Sequence, residues 1–262
     1  MTFNIRTLAA AALAFALATP AQAQTTAPTT AQTFTPDQRG EIEKIVREYL
    51  LSNPQLLQDV MAELEKRQAQ ADAEKHQAAI KENAEIIFNS PRQVTLGNPK
   101  GDVTFVELFD YNCGFCKRAM ADMLDLMKTD PNIKVVLKEF PVLGEGSTQA
   151  AQVAVAVRMQ DKTGGKKYLE FHQKLLGGRG AADKARALAV AKEVGLDMAR
   201  LEKDMASEEV KTTLAETFKI ADAMGLNGTP SYVIGNEAVI GAVGLPALKE
   251  KVNLARCGQA TC

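Results

Sequence analysis

The sequence predicts an α/β protein in which a block of helices interrupts a sheet-forming scaffold, preceded by an N-terminal helical stalk. Three observations carry this. A strand-like run, Val103–Phe109, passes through Cys113-Gly114-Phe115-Cys116 into a helix-like run, Lys117–Met127. From Ser147 to Met224 the pattern is helical and punctuated by glycine, with no strand signal. After Thr229-Pro230 the chain returns to short β-runs, Tyr232–Ile234 and Ala238–Ile240, joined by a Gly235-Asn236-Glu237 turn.

From the N-terminus, Arg6 precedes an apolar stretch from Leu8 to Ala18 and the small-residue run Thr19-Pro-Ala-Gln-Ala23. This is the pattern of a cleavable secretory signal over residues 1–23, too short to span about 30 Å of hydrocarbon. Export places the mature chain where disulfides persist, and the Ala-x-Ala site suggests a bacterial periplasm. Residues 24–36 are polar and lack periodicity, the pattern of a disordered leader. The 31 basic and 32 acidic residues give a formal net charge of −1; loss of Arg6 leaves 30 against 32, or −2. A nearly neutral surface offers nucleic acid no general electrostatic grip.

Residues 37–90 are expected to form a helical extension. Thr35 is placed as an N-cap with Pro36 at the first helical position. Ile42, Ile45, Val46, Tyr49 and Leu50 then follow at helical spacing, and Ser52-Asn53-Pro54 breaks the run. A second helix, about Pro54–Arg67, carries Leu57, Val60, Met61 and Leu64 on one face. From Glu65 to Asn83 helix propensity is high but apolar anchors are few, which suggests an exposed stalk carrying the first helices away from the rest. Ile86, Ile87 and Phe88 return the chain to a core. Neither short helix is stable alone in water, so each apolar stripe needs a partner, and oligomerisation is expected.

The second domain, 91–262, is expected to begin with a short strand at Val94–Leu96. Val103–Phe109 and Ile133–Phe140 follow as strands. The helical insertion covers about 147–226, with runs at Ala150–Met159, Lys167–Leu176, Asp183–Val194, Met198–Met205 and Glu208–Met224. Leu245–Leu254 closes the domain. Beyond it, Cys257 and Cys262 lie in a polar tail with Gly258 free to turn, and they are expected to form a structural disulfide.

The chemistry is concentrated in Cys113 and Cys116. Two thiols at this spacing close a ring and exchange electrons with other dithiols. Cys113 falls at a helix start, where the macrodipole and free N–H groups favour an anion, and the thiolate is the nucleophile. A structural disulfide or half a metal site would use the same spacing, but the strand–helix context and the Thr229-Pro230 element favour redox function. Zinc would need four ligands, and His76 and His172 lack ligand spacing to the cysteines; both are expected to be surface or half-buried. Cu(I) needs only two soft thiolates, so a stoichiometric Cu(I)-binding or copper-tolerance protein is the rival. Met120, Met123 and Met127, at helical spacing, suggest core packing.

The motifs Glu-Leu-Phe-Asp-Tyr-Asn-Cys-Gly-Phe-Cys (107–116), Lys-Glu-Phe-Pro-Val-Leu-Gly (138–144) and Gly-Thr-Pro-Ser-Tyr-Val-Ile-Gly (228–235) resemble those of DsbA-like thiol–disulfide oxidoreductases. The segment Glu41–Leu57, with Tyr-Leu-Leu-Ser-Asn-Pro, resembles the N-terminal extension of the subgroup related to the suppressor-of-copper-sensitivity protein C and Com1. The resemblance implies a thioredoxin-like fold and no cofactor beyond the redox-active Cys113–Cys116 disulfide. It implies Cys113 as the attacking thiolate, Cys116 as the buried resolving thiol and Glu107 as a buried acid relaying a proton to Cys116. Lys138 is a possible partner of Glu107 and more simply a surface lysine. Pro230 is implied to be a cis-proline against the dithiol, and Thr229, Pro230, Gly114 and Phe115 are candidate substrate-contacting residues. Partners would be unfolded or misdisulfided exported proteins and a membrane redox partner. The extension implies a homo-oligomer, trimer before dimer. The strongest oxidants of the family carry His where Phe115 stands, which suggests weaker oxidising power and a lean toward isomerase activity.

Overall fold

The computed structural model describes residues 34–262; the expected signal segment and nearly all of the leader lie outside them. The chain divides into two compact units at Val60 and Met61.

In the first unit, helix α1 (Pro36–Ser52) is started by a capping box. The Thr35 hydroxyl accepts the Gln38 backbone N–H at 3.3 Å and the Gln38 side chain accepts the Thr35 N–H at 2.9 Å. Asn53 stops the helix, its side chain donating to the Tyr49 carbonyl. No residue of α1 is buried, and Ile45, Val46 and Tyr49 are exposed. Helix α2 runs without interruption from Pro54 to Glu82. The expected short helix and stalk are therefore one element, because nothing between Pro54 and Glu82 breaks helical hydrogen bonding.

The second unit is built on a five-stranded mixed sheet. Its strands are β1 (Val94–Gly97), β2 (Val103–Phe109), β3 (Ile133–Glu139), β4 (Ser231–Ile234) and β5 (Glu237–Ile240). The order is β1-β3-β2-β4-β5, with β2 and β3 parallel and the other pairs antiparallel. The crossover between the parallel strands is helix α4 (Gly114–Thr129). Helices α5 (Glu145–Gln160), α6 (Lys166–Gly177), α7 (Lys184–Glu193), α8 (Met198–Met205) and α9 (Glu208–Met224) make the inserted block, and α10 (Leu245–Cys257) closes the chain.

Both faces of β2 are covered. Val103, Phe105 and Phe109 join one core with α4, α5, α6, α7 and α10. Val106 and Leu108 join the other, made by the end of α2, α3 (Ala84–Phe88) and α9. The distal part of α2 thus has something to bury: Ala79 and Ile80 are core residues, contrary to a stalk exposed to Asn83. The helical block is also not one layer, since α9 supplies Ile220, Ala221 and Met224 to the second core.

Cys257 is the last residue of α10 rather than part of a tail beyond it. Gly258 takes the left-handed C-cap conformation at φ 77°, and Cys257 and Cys262 are joined with an S–S distance of 2.10 Å.

Candidate active site

The end of β2 delivers Asp110, Tyr111 and Asn112 to the first turn of α4. Cys113 is the N-cap of α4: its sulfur accepts the Cys116 backbone N–H at 3.4 Å. The Cys113 thiol also donates to the Thr229 carbonyl at 3.1 Å. The Thr229–Pro230 bond is cis, and this segment enters β4 beside β2. The structure therefore brings Cys113, Cys116 and Thr229 together, with both thiols unpaired. Cys113 is 5 % exposed and Cys116 fully buried. Burial pushes the Cys116 thiol far up and the Glu107 charge adds to this, while the Asp110 main chain and the Thr229 side chain offset it in part. Phe115 projects outward, 57 % exposed, with the Arg118 guanidinium 4.5 Å from its ring centre. Beside Gly114 the space is open.

Glu107 stands opposite Leu137 of β3 and Tyr232 of β4. It shares the alternation of Phe105 and Phe109, so it points to the face covered by α4, which holds Cys116. A solvated position is excluded because β2 has no solvent face; Glu107 is 3 % exposed. Burial, and secondarily the Asp122 charge, hold its carboxyl up at about 8.

Lys138 corrects its expectation. It has the opposite alternation and lies on the α3 side, where its amine donates to the Ile86 carbonyl at 2.7 Å and to Gln93 at 3.1 Å. It is buried, does not pair with Glu107, and burial brings its amine down to about 8. His172 also departs from expectation. It is buried against Phe109, ring centres 4.6 Å apart, and Tyr111, with its Nδ1 unpartnered. Burial holds its imidazole down at about 3, so it is neutral at physiological pH. Tyr168, Phe171, His172, Leu175 and Leu176 fall at i, i+3, i+4, i+7 and i+8, the signal that would have placed His172 inside.

Residue-by-residue reading missed two buried carboxyls. Glu139 ends β3 and accepts the Tyr168 hydroxyl, which also meets the Tyr111 hydroxyl at 3.3 Å. Its carboxyl is held up at about 8, chiefly by burial. Asp110 accepts the backbone N–H groups of Asn112, Val142 and Leu143 and the Ser147 hydroxyl. Its partners come from residues up to 37 positions away, which no local pattern announces. Met123 is buried and Met120 and Met127 pack on the same core, so they serve packing.

Residues 104–253 match the DSBA-like thioredoxin domain family. The chain belongs to this family. Residues 38–71 match the N-terminal domain of the copper resistance protein ScsC. Among solved structures, a thioredoxin-like oxidoreductase from Silicibacter pomeroyi DSS-3 is 45 % identical at a TM-score of 0.62, over 66 % of this chain and 96 % of its own. A linker-deletion variant of Proteus mirabilis ScsC is 25 % identical at a TM-score of 0.64, over 87 % and 98 %. The thiol-disulfide exchange protein alpha-DsbA2 from Wolbachia pipientis is 28 % identical at 0.64, over 70 % and 97 %. The two curated relatives, Na(+)/H(+) antiporters NhaA of Salinispora arenicola and Salinispora tropica, are 27 % and 24 % identical, and this chain spans about a quarter of their length. The fold is thus the thioredoxin-like fold of the DsbA family with the N-terminal helices of the ScsC subgroup. Among the described residues no helix is long and apolar enough to cross a membrane, and no cluster of three or more His, Cys, Asp or Glu is arranged to hold a metal ion.

The burial of Glu107 has a measurable consequence. Folded, the carboxyl keeps its proton up to about pH 8; unfolded, it releases it near 4.5. Its contribution to stability is full below pH 4.5 and is lost as pH rises toward 8. At 1.36 kcal/mol per pH unit the loss between pH 5 and pH 8 is at most about 4 kcal/mol. Glu107→Gln removes this titration, so urea unfolding should show the variant gaining on wild type steadily from pH 5 to pH 8. Glu139 titrates in both proteins and cancels in the difference. A difference that does not change with pH would contradict the buried, protonated carboxyl.

Proposed function

We propose that this protein is a thiol–disulfide oxidoreductase acting on exported polypeptides, with Cys113 as nucleophile and Cys116 as resolving thiol. The observation that carries the reading is the asymmetry of the pair. Cys113 sits at a helix N-terminus with an N–H already directed at its sulfur, while Cys116 is buried beneath it beside a raised carboxyl. In the reducing direction the Cys113 thiolate attacks a substrate disulfide, one substrate sulfur leaves as thiolate, and a mixed disulfide forms. Cys116 then loses its proton to Glu107, whose carboxyl is ionised in a minor fraction of molecules at neutral pH and in most of them above about pH 8, and displaces the second substrate sulfur, closing Cys113–Cys116. In the oxidising direction a substrate thiolate attacks Cys113 of the closed disulfide. Cys116 departs as thiolate and takes a proton from Glu107, which is protonated at neutral pH. Thr229 and Pro230 present main chain to an extended substrate, which can join as an added strand, and Gly114 and exposed Phe115 line its approach.

The finer assignments rest on this base. Phe115 places no positive charge beside the thiols, which favours weaker oxidising power and isomerase or reductase work. The unburied apolar stripe of α1 and the match of residues 38–71 to the ScsC N-terminal domain support self-association, trimer before dimer. Several dithiols on one assembly would raise effective concentration against a misfolded substrate. Residues 1–23 would direct export to the periplasm, and a membrane redox partner would reset the dithiol. The copper-resistance name of the matched N-terminal domain keeps Cu(I) sequestration by Cys113 and Cys116 as the second reading.

Two experiments separate these. Cys113→Ser should abolish disulfide reduction and refolding of a scrambled substrate, and Cys116→Ser should accumulate mixed disulfides visible on non-reducing gels. Full activity in Cys113→Ser would contradict the mechanism; stoichiometric Cu(I) binding by the reduced protein without turnover would favour the copper reading. Light scattering of the mature protein should give a mass of two or three chains, and a chain beginning at Met61, which keeps the core residues Ala79, Ile80 and Ile87, should give one. Isomerase activity should fall on truncation while simple dithiol exchange survives. A single-chain mass for both would remove the oligomer.

A further inference from the structure

Over the whole chain 31 basic residues face 32 acidic ones, yet the turn between α6 and α7 gathers cations without ion-pair partners. The Lys117 ammonium, on α4, donates to the Gly178 carbonyl at 3.2 Å. The Arg186 guanidinium, on α7, lies where a Gly178 side chain would stand, and a Cβ at Gly180 would meet it at 3.4 Å. Arg179, between these two glycines, is exposed. Among the described residues none of the three cations forms an ion pair. The acids of the surrounding loops have other partners. Asp183 caps α7 by accepting the Arg186 backbone N–H at 2.9 Å, and Glu145 accepts the Gln149 amide at 3.1 Å. Asp110 is buried and taken up by four donors. Like charges brought to one short turn repel each other, and a carboxylate entering among them relieves that repulsion.

Hydrogen bonds fix this turn to the dithiol loop. The Asn112 amide donates to the Ala182 carbonyl at 2.9 Å and accepts the Ala182 N–H at 2.7 Å, and Asn112 is the residue before Cys113. Lys117 lies one turn of α4 beyond Cys113, whose carbonyl accepts the Lys117 N–H at 3.2 Å. One helical turn rises about 5.4 Å, and an extended substrate advances about 3.3 Å per residue. The cations therefore stand within reach of a side chain roughly two to four positions from a substrate cysteine bound at Cys113.

We propose that Lys117, Arg179 and Arg186 form a carboxylate-docking site beside the dithiol, which selects polypeptides carrying Asp or Glu close in sequence to the cysteine that reacts with Cys113. This rests on the thiol–disulfide reading above and adds the charge class of its substrates. The cations take no part in the exchange itself. They raise the rate at which an acidic segment meets Cys113 in the right register.

The test uses the full chain in its reduced form and two peptide disulfides of one sequence, with either Glu or Gln at the positions flanking the cysteine. Each rate constant is divided by that of the same peptide with dithiothreitol, which cancels the peptide's own reactivity. The readout is the Glu-to-Gln ratio. Wild type should favour the Glu peptide about fivefold at low salt, the scale of two exposed ion pairs. The ratio should fall to about one when salt rises from about 0.01 M to about 1 M, because the screening length shrinks from about 30 Å to about 3 Å. Lys117→Gln and Arg186→Gln should each lower the low-salt ratio about twofold. Arg179→Glu changes an exposed side chain, leaves the fold intact, and should bring the ratio to one or below. The rate with the Gln peptide should stay at the wild-type value in all three variants, which reports an intact dithiol. A wild-type ratio of one at low salt, or a ratio that the three variants leave unchanged, overturns the proposal alone, because the Gln peptide still exchanges. Failure of wild type to exchange with either peptide overturns the thiol–disulfide reading and this proposal together.

Discussion

The site depends on burial of β2 on both faces. A strand with a solvent face could turn Glu107 outward and leave the dithiol on an unsupported loop. Here odd-numbered positions of β2 face α4 and even-numbered ones face α3 and α9. The alternation leaves Glu107 no choice but the core side, beneath the helix that carries Cys116. Burying an ionised carboxyl without a cationic partner is costly, so the group keeps its proton instead. The fold thereby keeps a protonated carboxyl on the face of the sheet covered by the helix that carries Cys116. The same strand ends by fixing Asp110, whose main chain holds Cys113 and whose side chain holds the rim of the helical block.

The two thiols differ because their surroundings differ. Cys113 occupies a helix N-cap, with an N–H aimed at its sulfur and a thin route to solvent. Cys116, one turn on, is enclosed by apolar side chains and a raised carboxyl, which keep it a thiol. Neutral His172 and protonated Glu139 lie among the aromatic side chains of the neighbouring core and bring no net charge close to the pair. With Phe115 between the cysteines, no histidine charge is available there to favour the thiolate.

Much of this could be read from the chain. The strand, Cys-x-x-Cys and helix sequence located the site, and Thr229-Pro230 located the segment that packs on it. Those signals are local: periodicity, a cap position, a proline. What escaped was long-range. Lys138 reads as a surface residue by type, yet β3 is covered on its α3 side and its amine is satisfied by Ile86 and Gln93. Asp110 reads as one loop acid among many until the chain returns Val142, Leu143 and Ser147 to it. The polar composition of residues 65–83 hid the fact that the last turn of α2 meets the sheet, because two apolar side chains, Ala79 and Ile80, are enough to anchor it. His172 was legible in principle, its position lying on the apolar stripe of α6, but residue type outweighed pattern.

The central claim is that Cys113 and Cys116 form a reversible redox couple. The direct measurement is their equilibrium with glutathione across a range of reduced-to-oxidised ratios, read by thiol labelling and mass spectrometry because the chain has no tryptophan. The account predicts that both cysteines gain and lose their label together in one two-electron transition. It also predicts a potential more negative than about −120 mV, the value of a strong DsbA oxidant, with Cys257–Cys262 remaining oxidised throughout. Labelling of Cys113 and Cys116 that does not respond to the glutathione ratio, or that responds at one cysteine only, would contradict it.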